Sequence, residues 1–129
     1  VSRQERTGLR DLSFSRWHRS LPNRCSALDI DLVEYCGICS APLALIETTA
    51  GVGFKPTTVL RALAARAGLP AYLVQVHIDE AAQIGSPGRI LSCRLEQVYP
   101  SRSVLANELA NVADLITALH DDHARSRHP

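Results

Sequence analysis

The sequence predicts an α/β (α+β) fold, a single mixed β-sheet flanked by helices, in the order helix, strand, strand, helix, strand, strand, helix. Three observations carry this. Residues 28–36 and 42–49 are short apolar segments rich in strand formers, joined by a turn-rich piece over 37–41, which reads as a hairpin. Residues 56–67 carry a helical stripe of Leu60, Leu63, Ala64 and Ala67, closed by Gly68 and Pro70, the usual helix stop. Residues 71–78 (AYLVQVHI) are almost wholly apolar, as a central strand requires. With 129 residues and 46% hydrophobic content, the chain is one domain, 1–129, with material for one core.

The remaining elements follow in order. Arg3, Arg6, Arg10, Arg16, Arg19 and Arg24 crowd the first 24 residues. Ser13 or Ser15 can cap a short helix with Trp17 and Leu21 on one face, stopped by Pro22. After the hairpin, the AGVGFK stretch at 50–55 is a glycine-containing loop without the GK[ST] ending of a P-loop. Thr57 or Thr58 is the N-cap of the next helix. Residues 89–98 alternate imperfectly, as a half-buried or edge strand does. From Ser101 or Ser103 to about His120, Leu105, Leu109, Val112, Ile116 and Leu119 form a helical stripe. Residues 1–12 and 121–129 are expected to fray. His120 and His123 then fall on a solvated helix end.

Composition narrows the function classes. A net charge of +1 gives no global pull toward nucleic acid. No apolar run approaches the ~20 residues that cross a bilayer, and the opening lacks a signal-peptide pattern. Four cysteines in such a chain imply a reducing compartment with free thiols. The expectation is therefore a cytoplasmic protein. Cys25, Cys36, Cys39 and Cys93 do not form two CxxC halves. Cys25 and Cys36 would stand roughly 35 Å apart along an extended segment, which argues against a zinc site using both. Cys36-Gly37-Ile38-Cys39 after a strand also opens a thioredoxin-like redox site. That alternative requires a helix over 40–50, so an extended or helical conformation at 42–49 separates the two.

The hairpin contains a conflict. In its symmetric register Cys36 pairs with Pro42, Glu34 with Ala44 and Asp31 with Glu47. The last two carboxylates then share a face with Cβ atoms ~5 Å apart, where they repel unless a cation or proton holds them. Each could instead be an exposed strand end paired with an N-terminal arginine. Gln75 and His77, on one face of the strand after the helix, can border the same place.

Asp31-Leu32-Val33 and Leu45-Ile46-Glu47-Thr48-Thr49, an acid at one strand's end and a carboxylate closing the next, resemble the PD-(D/E)XK nuclease superfamily. Trp17-His18-Arg19 ahead of Asp29-Ile30-Asp31 is similar to segments of uncharacterised phage and prophage proteins. The resemblance spans roughly residues 16–77 and implies a restriction-endonuclease-like fold, DNA as partner and Mg²⁺ as cofactor. It implies Asp31, Glu47 and the main-chain carbonyl of Thr48 as metal ligands, with Asp29, on the same face as Asp31, as auxiliary acid. Arg16, His18 and Arg19, together in one stretch, read either as a solvated helix flank or as phosphate contacts beside the hairpin. Hard oxygen donors suit Mg²⁺, which activates water against a phosphodiester. The family's lysine, two residues after the glutamate, is here Thr49. Lys55, the chain's only lysine, or Arg61 would have to bring that charge from elsewhere, as substitute base or clamp. Otherwise the fold implies an inactive relative acting through protein or nucleic-acid binding.

Overall fold

The computed structural model describes residues 12–50 and 55–127. They form one mixed five-stranded sheet and three α-helices. In chain order these are α1 (Ser13–Arg19), β1 (Leu32–Tyr35), β2 (Pro42–Ala50), α2 (Thr58–Ala67), β3 (Ala71–Ile78), β4 (Ile90–Tyr99), β5 (Ser103–Ala106) and α3 (Leu109–Arg127). The strands lie in sequence order, β1-β2-β3-β4-β5. β2 and β3 are parallel and joined through α2, while the other neighbours are antiparallel. No described helix is long and apolar enough to cross a membrane.

Strand alternation sends the two halves of the core to opposite faces. On one face Ala44, Ile46, Tyr72, Val74, Cys93 and Leu95 meet Val112 of α3, flanked by Leu115, Ile116 and Leu119. On the other, Leu45, Ala71 and Val98 meet Leu60 and Ala64 of α2. β3 is central in the sheet, as its apolar run predicts; Ala71, Tyr72 and Val74 are buried, while its later residues are only partly covered and His77 is exposed. α2 ends as the sequence predicts: Gly68 takes the left-handed conformation at φ 68° and its N–H bonds back to Ala64. Thr57 occupies the N-cap, but its hydroxyl does not cap the helix. Instead it accepts from Arg102 Nη2 at 2.6 Å, and Arg102 Nη1 reaches Glu96 at 2.8 Å. One guanidinium thus fastens the start of α2 to β4.

Three expected boundaries are corrected. β1 starts at Leu32 rather than 28, because Asp31 exchanges hydrogen bonds with β2 through side chains instead of a backbone ladder. The predicted helix from 101 or 103 is preceded by a fifth strand. Pro100 ends β4, the Gln97 amide donates to Ser101 O at 3.0 Å, and Ser103–Ala106 folds back onto β4. Four residues of SVLA fit either period, so tertiary pairing decides. Finally, α3 does not fray at 121 but continues to Arg127. An Asp122–Arg125 ion pair and a Ser126 hydroxyl bond to Asp122 O brace its last turns, with arginine near the carbonyl end where the helix dipole favours it. The expectation for residues 1–11 lies outside the described residues.

Leu95 is 2% exposed at the centre of the α3 face, whereas Ile84 in the β3–β4 connection is 84% exposed. Leu95→Ala should lower the unfolding free energy by about 2–5 kcal/mol, and Ile84→Ala by less than about 0.5 kcal/mol. Urea melts of the two variants check this contrast.

Candidate functional site

The predicted register holds at the open end of the hairpin. Leu32 pairs with Ile46, Val33 with Leu45 and Glu34 with Ala44. A shift between Glu34 and Tyr35 then pairs Tyr35 with Pro42, replacing the expected Cys36–Pro42 pair. One residue before the ladder, Asp31 meets Glu47 on the α2 face. Glu47 is only 7% exposed, while the Asp31 side chain is 38% exposed. Glu47 is therefore not an exposed strand end.

Each carboxylate is held by the opposite strand's main chain. The Asp31 N–H donates to Glu47 Oε1 at 3.0 Å. In return, the Thr48 N–H and hydroxyl donate to Asp31 Oδ2 at 2.8 and 3.0 Å. The ladder is thus continued by side chains for one more step. Lys55, just ahead of α2, completes the cluster. Its Nζ lies 2.7 Å from Glu47 Oε2 and 3.6 Å from Asp31 Oδ2, and it donates to Thr48 O at 2.8 Å.

The surrounding acids hold Lys55 in its charged form. Its pKa is raised above the ordinary 10.5, chiefly by the hydrogen bond to Glu47; burial opposes this, and the charges of Glu47 and Asp31 reinforce it. Lys55 is consequently a positive charge at neutral pH. Asp31 is lowered below 3.8, chiefly by the Thr48 N–H; burial works against this, while the Thr48 hydroxyl and Lys55 add to it. Two carboxylates against one ammonium leave one negative charge uncompensated within the trio.

The cluster opens into a cleft of about 330 Å³ lined by Leu28, Asp29, Asp31, Glu47, Lys55 and the first residues of α2. Leu28 and Asp29 also line an adjacent cleft of about 300 Å³, which holds Phe14, His18 and Arg19 of α1. Asp31, Glu47, Thr48 and Lys55 are thus brought together, and Asp29 stands at the boundary of the two clefts. His18 and Arg19 face the second cleft, whereas Arg16 lines neither. Gln75 pairs with Thr49 on the cluster's face, but His77 lines a separate cleft with Ala50 and Glu80. Among the described residues, the ion-pair partner of the two acids is Lys55 and not an N-terminal arginine.

The thioredoxin-like alternative is overturned. Residues 42–50 are strand β2, paired with β1, so no helix follows Cys39 to activate a thiol. Sequence reasoning also missed a feature at the hairpin tip, where His120 Nε2 lies 2.8 Å from Glu34 and His123 Nε2 lies 3.1 Å from Cys39 Sγ. The signal was present: His120 and His123 stand four residues after Ile116 and Leu119 and so extend the sheet-facing stripe of α3.

The pKa directions fix how this cluster contributes to stability. Asp31 is lowered in the folded chain, so its contribution is full above about pH 5 and disappears as pH falls through its folded value, below 3.8. Lys55 is raised, so its contribution is full below 10.5 and disappears as pH climbs through its higher folded value. Denaturation midpoints should therefore show an acid limb that Asp31→Asn weakens and an alkaline limb that Lys55→Met weakens. Unchanged limbs in both variants would contradict the assignment. No protein-family model, curated protein or solved structure matches the chain.

Proposed function

We propose that the chain is a PD-(D/E)XK-like, restriction-endonuclease-like domain that binds DNA and hydrolyses phosphodiester bonds with Mg²⁺. The observation that carries this reading is the convergence of Asp31 Oδ2, Glu47 Oε2 and Thr48 O on a single cationic centre, the Lys55 ammonium. The positive charge missing at Thr49 is supplied from eight positions beyond Glu47.

The donor set fits a hard divalent ion. Asp31, Glu47 and the Thr48 carbonyl are three oxygens around the point that Lys55 Nζ occupies, so an ion would take that place with the lysine side chain swung toward the phosphate, and the oxygens carry one more negative charge than Lys55 neutralises. These residues would hold Mg²⁺, with Asp29 beside them as auxiliary acid. When bound, Mg²⁺ supplies Lewis-acid polarisation and an activated water. The chain's own residues do the rest. Lys55 presents a permanent positive charge to the phosphate, the Thr48 N–H keeps Asp31 ionised, and Asp31 N–H fixes the rotamer of Glu47. His18 and Arg19, across the Leu28–Asp29 boundary, contact the flanking phosphates and set the register of the strand; Arg16 stands outside both clefts.

One observation favours a second reading, an inactive relative that acts by protein or nucleic-acid binding. Lys55 already bonds to Glu47 Oε2 and Thr48 O, so the cluster is held together by a residue of the chain itself.

Supercoiled plasmid and branched DNA, incubated with Mg²⁺ or Mn²⁺, separate the readings. The wild type should cleave and the Asp31→Ala, Glu47→Ala double variant should not. Lys55→Ala should slow cleavage by about 10²–10³-fold. Equal cleavage by both proteins, or none by either, removes the enzyme reading. Binding without cleavage, weakening steeply with salt, with a log–log slope reduced by about 1 in Arg19→Ala, supports the second. A chain that binds no DNA is neither enzyme nor nucleic-acid binder.

A further inference from the structure

We propose that the tip of the β1–β2 hairpin and the end of α3 form a Zn²⁺ site, with Cys36, Cys39 and His123 as ligands and water in the fourth position. The site is distinct from the carboxylate cluster and uses a different ligand chemistry.

Cys36 and Cys39 flank a tight turn. Cys36 N–H donates to Ala41 O and Ser40 N–H to Cys36 O, both at 2.8 Å, and Ser40 takes a left-handed φ of 65°. This closure turns both sulfurs toward one side. The Ile38 N–H points at Cys36 Sγ at 3.4 Å, and a main-chain donor aimed at sulfur stabilises the thiolate that a metal needs. α3 brings the third ligand from 84 residues away, with His123 Nε2 3.1 Å from Cys39 Sγ. The three ligand atoms lie within 4.8 Å of one another.

These separations suit one tetrahedral ion. Zn–S bonds of about 2.3 Å and Zn–N bonds of about 2.0 Å give tetrahedral edges of roughly 3.5–3.8 Å. Small side-chain adjustments bring all three donors onto a common centre. Two thiolates and an imidazole are soft or borderline donors, which select Zn²⁺ over the Mg²⁺ that suits the oxygen cluster. His120, one turn earlier, is engaged with Glu34 and serves to dock the helix rather than to ligate.

The site has a mechanical role. Between α3 and the sheet lies an apolar gap of about 190 Å³, lined by Ile46, Tyr72, Val74 and Leu95 on the sheet and by Ile116 and Leu119 on the helix. The helix is therefore not held by close packing along its whole length, and an ion at His123 pins its distal end to the hairpin.

Cobalt(II) substitution under reducing conditions tests this. The wild type should take up one Co²⁺ per chain with the intense visible bands of a tetrahedral site and sulfur-to-metal charge transfer. Zn²⁺ should displace it and raise the Tm reversibly to EDTA. Cys39→Ser, at an exposed position, and His123→Ala, at a half-buried one, should lose that spectrum and the Zn²⁺-dependent rise in Tm, while Asp31→Ala keeps both. Absence of uptake overturns the site. So does a weak octahedral spectrum that Asp31→Ala abolishes, or a tetrahedral one that survives His123→Ala. Because none of these readouts involves DNA, failure here leaves the phosphodiester reading standing, and the converse also holds.

Discussion

Two carboxylates facing each other across an edge strand are the constraint on which the rest of this structure depends. A favourable cross-strand pair contributes about 0.2–1 kcal/mol. Two like charges brought together in a half-buried site repel more strongly than such a pair attracts. Strand pairing alone cannot hold Asp31 against Glu47. What holds them is a closed circuit: each acid accepts a main-chain N–H from the other strand, and one ammonium spans both. Removing any member leaves a charge or a buried donor without its partner, so the three residues act as a unit.

The fold supplies that circuit through its one parallel connection. β2 and β3 run the same way, so the chain must return through α2, and its start comes back to the carboxyl end of β2. α2 covers Leu45 and Ala71 near the beginnings of β2 and β3, and Val98 near the end of the antiparallel β4, leaving Glu47 at the edge of its first turn beside Lys55. Lys55 stands at the hinge between strand and helix, where a side chain reaches back over Glu47. Open sheets place ligand clefts at the carboxyl ends of parallel strands for this reason. The cleft lined by Asp31, Glu47 and Lys55 obeys the same rule.

The Asp31–Glu47 confrontation was legible because register follows from turn length and side-chain alternation, both readable along residues 31–47. The Lys55 clamp was legible only as one of two candidates, since its placement depends on how the loop returns to α2. β5 was hidden because four apolar and small residues carry no decisive period, and pairing with β4 was settled by the turn after Pro100. His123 was misjudged for a different reason. Between Asp121, Asp122 and Arg125 it looks solvated along the chain, and only continuation of the Ile116–Leu119 stripe turns it toward the hairpin. Local composition and helical phase disagreed there, and phase prevailed.

The hairpin also joins the two proposed sites mechanically. β1 has only four residues and one neighbour, so little besides its ends fixes its register. A slip of one position would send Asp31 to the α3 face and leave Glu47 with Lys55 alone. The ladder already absorbs one irregularity between Glu34 and Tyr35, between the acid end and the cysteine tip. From Asp31 to Cys36 the strand spans roughly 16 Å at about 3.3 Å per residue. Over that length the Glu34–His120 contact and the cysteine–histidine cluster tie β1 to α3 on one face, while Asp31 ties it to Thr48 and Lys55 on the other. A short edge strand anchored from opposite faces near its two ends cannot slide without breaking one anchor. The polar contacts at the tip therefore do for the carboxylate cluster what a longer strand or a second neighbour would otherwise do.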